Sequence, residues 1–154
     1  MKTIPLSNSD QVALVDDEDY EWLMQWHWKL DTNGYAYTSI RIPMHRMILG
    51  VEENEVDHRD SISLNNVRSN LRPATTAQNQ WNRGKPSDNT SGFKGVSWFA
   101  PSNKWVARVQ ANGKRYHIGY FDDPVEAARA YDRRARELHG EFARTNEDEG
   151  NFDA

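Results

Sequence analysis

An α+β fold in two small modules is what this sequence predicts, and three observations predict it. Lys104–Gln110 and Arg115–Phe121 alternate in character around Asn112-Gly113, and Asn-Gly is the strongest short signal for a β-hairpin. A helical stripe follows at Ala128, Tyr131, Ala135 and Leu138. Asp123, Pro124 and Glu126 open it as a capping box, and Gly140 closes it. Third, residues 83–92, RGKPSDNTSG, have the composition of a linker. The 154 residues therefore divide into a module at 1–83, a linker at 84–91, a module at 92–146 and an acidic tail at 147–154. The second module is a three-stranded antiparallel sheet packed on one helix. The tail is expected to fray.

The elements follow in order. Val12–Val15 is a compact apolar strand ended by the acids at 16–19. Tyr20 to Trp28 carries apolar residues on one face of a short helix, with acids at its start where the helix dipole favours them. His27, between two tryptophans, reads as part of an aromatic core. Tyr35–Ile40 is aromatic and β-branched, a strand after the Asn33-Gly34 turn. Met44–Leu49 is a short helix stopped by Gly50. Thr75 to Asn82 forms a helix with Thr75 or Thr76 as its cap, and Asn79 and Asn82 share one face. Lys94–Phe99 supplies the first strand of the second module.

Charge is distributed unevenly. The formal total is −4 and the isoelectric point 5.7. Residues 1–57 hold four bases against eleven acids, residues 58–144 have a net of +7, and the last ten residues hold four acids and no base. Over 92–119 there are five bases and no acid. The acidic total therefore does not argue against nucleic acid, because salt screens charges more than ~10 Å away. Mean hydropathy is −0.91. No run approaches the ~18 apolar residues of a membrane span. MKTIPLSNSD reads as no secretory signal, and zero cysteines exclude a disulfide scaffold, a thiolate zinc site and a cysteine nucleophile. No glycine-framed serine is present for a hydrolase triad.

The first chemical constellation is VDHRDSISLNNVRSNLRPATTAQNQWN, residues 56–82. Asp57 and His58 are adjacent on an extended segment, so they point to opposite sides. Asn70 lies twelve positions after His58, and Asn79 nine after Asn70. With Leu64, Asn66, Leu71 and Arg72, this spacing resembles the HNH motif, the ββα-metal fold of phage and intron homing endonucleases. LVDDEDYEWL and MHRMILG extend the resemblance over most of residues 6–83. It implies a small ββα-metal nuclease module. Asp57 and Asn79 would bind one divalent cation, Mg²⁺ or Mn²⁺. His58 would be the general base. Asn70 would accept the imidazole N–H and set its tautomer. Asn82 and Arg72 would contact phosphate or support the metal. His45 reads as a packing or phosphate-contact residue. Loop 59–63 departs from the family: its usual glycine is missing, and Arg59 stands where an apolar residue is usual.

The second constellation is residues 92–144. Gly95-Val96, Lys104-Trp105-Val106-Ala107, Ile118-Gly119-Tyr120-Phe121 and Glu126–Asp132 resemble the DNA-binding domain of plant APETALA and ethylene-response factors. Alternation alone gives two faces. Trp105, Ala107 and Val109 face the helix stripe. Lys104, Arg108 and Gln110 face the other way, and Lys94, Ser97, Phe99, Arg115 and His117 extend that basic surface. A three-stranded sheet can enter the ~12 Å major groove, where Arg reads guanine and Gln reads adenine. Plant domains usually have arginines where Ser97 and Phe99 stand. Trp98 fits either packing or stacking.

The combined expectation is a metal-dependent, strand-nicking DNA endonuclease. It would act on double-stranded DNA as a monomer, in the cytoplasm of a bacterial or phage-infected cell. Two alternatives stay open. One is a DNA-binding regulator with an inactive nuclease module, favoured by the altered loop. The other is an RNA-binding or protein-interaction module using the aromatic-rich front.

Overall fold

The computed structural model describes residues 1–153 and divides into two compact units, Met1–Asn79 and Gln80–Ala154. The division falls ahead of residue 83, inside the helix that begins at Thr76.

The first unit is built from three two-stranded antiparallel ladders. β1 (Lys2–Pro5) pairs with β2 (Val12–Val15), β3 (Trp28–Leu30) with β4 (Ala36–Thr38), and β5 (Glu55–His58) with β6 (Leu71–Ala74). Such pairs are marginal alone, and helices α1 (Asp17–Leu23) and α2 (Met44–Leu49) add Leu23, Met44 and Ile48 to their core, while α3 (Thr76–Trp81) follows β6. Ile4, Val15, Leu23, Trp28, Met44 and Leu71 form one core. Helix α1 starts earlier than the apolar spacing suggests, because Asp17, Glu18 and Asp19 fill its first turn. It also ends earlier. Trp28 is therefore in a strand, with its indole N–H donating to the Leu23 carbonyl at 2.8 Å. That turn directs His27 and Trp26 outward, so His27 is exposed and not part of a core.

An ion cluster closes this unit. Asp19 is 1% exposed. Arg68 holds it with two bonds, from Nε at 2.8 Å and Nη2 at 2.6 Å, the bidentate geometry that fits a guanidinium to a carboxylate. The Arg68 backbone N–H also donates to Asp16 at 2.8 Å. The segment before β6 is thereby fixed to α1.

The second unit has the expected architecture. β7 (Val96–Phe99), β8 (Lys104–Ala111) and β9 (Lys114–Phe121) form an antiparallel sheet in the order β7-β8-β9. α4 (Pro124–His139) packs on it through Ala127, Ala128, Tyr131 and Ala135. The hairpin turn places Asn112 at φ 51° and Gly113 at φ 74°, the paired positive angles of a type I′ turn. Asp123 caps α4 by accepting from the Val125 N–H at 3.0 Å. At Gly95, φ is +76° and a Cβ would fall 2.1 Å from the Tyr131 ring, so only glycine fits.

The tail does not fray. Asp132 is buried in α4 and accepts from the Asn146 N–H at 2.8 Å, from its amide at 2.9 Å and from the Glu147 N–H at 3.0 Å. Phe152 packs on Phe93 with ring centroids 5.5 Å apart. These buried polar contacts are long-range and leave no local sequence signal. The segment expected as a linker is ordered too: Lys85 Nζ donates to Asn151 at 2.9 Å, and the Asn89 amide donates to the Phe93 carbonyl at 2.8 Å.

Candidate functional site

In the first unit, β5 and β6 set the site. Their register puts Asp57 opposite Arg72 and His58 opposite Leu71. Arg72 Nε donates to Asp57 Oδ2 at 2.7 Å, with the two side chains 7% and 3% exposed. Arg72 is therefore the buried partner of a carboxylate and not a surface phosphate contact.

His58 points to the other face. Its Nε2–H donates to Asn66 Oδ1 at 3.2 Å. Its ring packs against His45, 5.2 Å away and nearly perpendicular, and against Tyr35 at 5.7 Å. Burial pushes its pKa below the ordinary imidazole value, while the Asn66 bond and the nearby Asp60 and Asp57 pull the other way. His45 is buried by the same cluster, and burial with the neighbouring His58 and Arg46 charges lowers it to about 3. Both rings are thus biased toward the neutral form.

Asn70 does not set the imidazole. Its amide donates to Asp60 Oδ1 at 2.9 Å and to the Asn65 carbonyl at 2.8 Å, and its oxygen accepts from the Asp60 N–H at 3.1 Å. Asn70 closes the loop, and Asn66 holds the ring. The reason is register. The Asn66 N–H donates to the Leu14 carbonyl, and the Leu14 N–H to the Leu64 carbonyl, both at 2.8 Å. This runs the loop along β2 and carries Asn66 to His58.

The loop closes without its glycine. Ser61 takes φ +62°, and the Asp60 carboxylate accepts from the Ile62 N–H at 2.9 Å. Burial opposes ionisation of Asp60, but hydrogen bonds from Ile62, Asn65 and Asn70 outweigh it and lower its pKa.

A cavity of about 250 Å³ lies beside the ring cluster, lined by Tyr35, His45, Arg46, Glu55, Val56 and Asn79 among others. On α3 the Asn79 amide donates to Glu55 Oε2 at 2.9 Å, and the Thr76 hydroxyl donates to Glu55 Oε1 at 2.9 Å. No group of three or more His, Asp or Glu side chains gathers around a metal position among the described residues. The donor set that remains is oxygen only, which suits a hard cation that keeps several waters. Asn79 would offer its amide oxygen, since Glu55 holds its nitrogen. Asp57 would offer its carboxylate beside the Arg72 guanidinium. Tyr35, Glu55 and Asn66 are site residues that sequence reasoning did not assign. Glu55 carried a signal, because it shares a strand face with Asp57 two residues away.

Asn82 lies in the second unit, buried at 5% exposure. In the same unit, Ser97, Phe99, Lys104, Arg108, Gln110, Arg115 and His117 lie on the sheet face away from α4. Arg108 stands opposite His117, and Gln110 opposite Arg115. A bulge between Ala107 and Arg108 gives β9 one extra residue, Ile118. Lys104 Nζ donates to Asp122 at 2.7 Å. Lys94 is not on this face. It precedes β7, and its ammonium donates to the carbonyls of Trp81, Arg83 and Arg144 at 2.9, 2.5 and 3.0 Å. Burial lowers its pKa to about 8, against the pull of Glu149. Three carbonyls in reach make it an internal clasp. Trp98 packs edge-on against Trp105, at 5.1 Å, and keeps 47% of its surface in solvent. Tyr120, 45% exposed, was not singled out and joins the open face.

The AP2 domain family matches residues 91–141. Protein 3.8 of Escherichia phage T7 is 43% identical over 89 residues, 58% of this chain and 73% of that protein. An uncharacterized HNH endonuclease of Acanthamoeba polyphaga mimivirus is 33% identical over 143 residues, 87% of this chain and 74% of that protein. The dehydration-responsive element-binding protein 2A of Oryza sativa subsp. japonica is 35% identical over 77 residues, 47% of this chain and 27% of that protein. No solved structure matches. The chain belongs to the family of these viral proteins, and it carries an AP2 domain over residues 91–141. No helix among the described residues is long and apolar enough to cross a membrane.

Proposed function

We propose that this protein is a DNA endonuclease that hydrolyses one phosphodiester strand with its first unit and holds duplex DNA with the sheet of its second. The observation that carries the reading is His58. Its Nε2–H is occupied by Asn66 and its ring is biased neutral by burial. The neutral imidazole is then the group that takes the proton of an attacking water. As the water oxygen bonds to phosphorus, the P–O3′ bond breaks, and the departing oxygen takes a proton from solvent. Arg46, on the cavity wall, supplies positive charge for the phosphate. A divalent cation held by Asp57 and Asn79 would stabilise charge on the phosphate and the departing oxygen.

One hydrolytic centre per chain predicts nicking. Incubating supercoiled plasmid with Mg²⁺ or Mn²⁺ is expected to accumulate nicked circle, and EDTA or His58→Ala to abolish it while duplex binding persists. A monomer that linearises plasmid with no nicked intermediate contradicts the single-strand reading.

The buried Asp57–Arg72 pair supports a second reading, a DNA-binding regulator with an inactive first unit, because Arg72 already neutralises the carboxylate. Duplex binding with no metal-dependent cleavage in the same assay selects it.

A further inference from the structure

The open sheet face has an aromatic end, where Lys104 opposite Phe99 is paired with Asp122, and an arginine-bearing end. At the aromatic end, Phe99 and Tyr120 stand on opposite edge strands with ring centroids 5.4 Å apart. Val106 lies between them on β8, opposite Tyr120, and is 1% exposed. His117 continues the row, 4.7 Å from Tyr120, and stands opposite Arg108. Gln110 and Arg115 follow. Val106 is covered, yet Tyr120 keeps 45% of its surface in solvent.

We propose that Phe99 and Tyr120 form a ridge that reads thymine in duplex DNA through its 5-methyl group. This rests on the reading that the sheet binds duplex DNA. The arginine-bearing end names the occupant by charge, since Arg108 and Arg115 suit a phosphate-lined groove. The chemistry of the groove names the base. On the major-groove edge, thymine alone presents an apolar group, and the other bases present donors and acceptors. An aromatic ridge pressed on those polar edges leaves them unsatisfied, which costs affinity. Pressed on a methyl, it removes apolar surface from water on both sides. The sheet would thus read two kinds of signal: methyl groups at the Phe99–Tyr120 end, and hydrogen-bonding edges at the Arg108–Gln110 end.

The test uses the full chain in EDTA, so that no strand is cut. Duplexes selected from a randomised library are measured beside the same duplexes with thymine replaced by deoxyuridine. Burial of a methyl is worth about 0.8 kcal/mol, so each thymine read is expected to lose about fourfold in affinity when its methyl is removed. Phe99→Ser with Tyr120→Ser is expected to erase the difference between thymine and uracil, and Phe99→Leu to keep it, which separates methyl reading from loss of fold. Duplex binding with equal affinity for thymine and uracil overturns this inference alone. So does a difference that survives the double serine variant. Absence of duplex binding, or stronger binding to single strands, overturns the duplex reading with it.

Discussion

In the first unit the polar side chains that carry the proposed chemistry are inside, and in the second they are outside. Asp57, His58, Asn70 and Arg72 are all at most 9% exposed. Each is held by another polar group, so a role depends on which partner the fold delivers. On the open sheet face of the second unit, Ser97, Gln110, Arg115 and His117 are exposed to solvent. The second unit also buries Asp132 and Asn146 and half-buries Lys94, but it spends them on holding its own ends. Buried polar groups must be paired, whereas exposed ones are satisfied by water. The first unit therefore depends on complete networks, and the second tolerates substitution on its exposed sheet face.

The strongest test of that contrast removes one member of the buried pair. Arg72→Leu leaves the Asp57 carboxylate buried without its cation, a loss of about 3–5 kcal/mol. Hydrogen exchange should rise across residues 1–79 and stay unchanged in β7–β9. Equal loosening of both units would mean that they do not fold separately.

Acid probes the same contrast. His45 titrates near 3 when folded and near 6.5 when unfolded, so the unfolded chain binds more protons between these values. Stability is complete above pH 6.5 and falls as pH drops, by about 1.4 kcal/mol per unit for this group. His45→Phe should flatten the acid loss in the first unit, as read by denaturant melts between pH 7 and 5.

Lys94 and Arg108 separate inside from outside within the second unit. Lys94→Met leaves three carbonyls short of a donor and is expected to cost about 1–3 kcal/mol. The salt dependence of DNA binding should not change. Arg108→Ala should leave the melting curve unchanged and lower the salt slope by about one phosphate contact. Reversal of these two results would return Lys94 to the interface.

The smallest effect concerns the loop. Ser61 sits at φ +62°, where a side chain costs about 1–2 kcal/mol relative to glycine. Ser61→Gly should stabilise the first unit by about 1 kcal/mol, part of the gain being lost to unfolded-chain entropy. Calorimetry reads this, and a loss of stability would show that Ser61 makes a contact worth more than its strain.

Much of the second unit was legible. Period-two alternation placed Trp105, Ala107 and Val109 on α4 and Arg108 and Gln110 opposite, because the pleat enforces it within one strand. Lys94 misled because it precedes the strand, where alternation says nothing. In the first unit, the resemblance to the HNH motif implied Asp57, His58 and Asn79 as a set. It also implied Asn70 as the imidazole partner, where the fold supplies Asn66. Glu55 and Tyr35 went unassigned, since their roles arise from α3 and α2 packing near them.

By itself, the sequence determined which residue types sit where along each strand and helix, the capped helix, the Asn-Gly hairpin and the basic stretch hidden under a net charge of −4. Those properties are local, set by backbone periodicity and near neighbours. Tertiary structure alone decided which polar groups meet: Arg72 with Asp57, Asn66 with His58, Glu55 with Asn79, and Lys94 with three distant carbonyls. Each such pairing joins residues between 8 and 50 positions apart. A hydrogen bond is fixed to a few tenths of an ångström, and no local pattern specifies distances across a folded chain so finely.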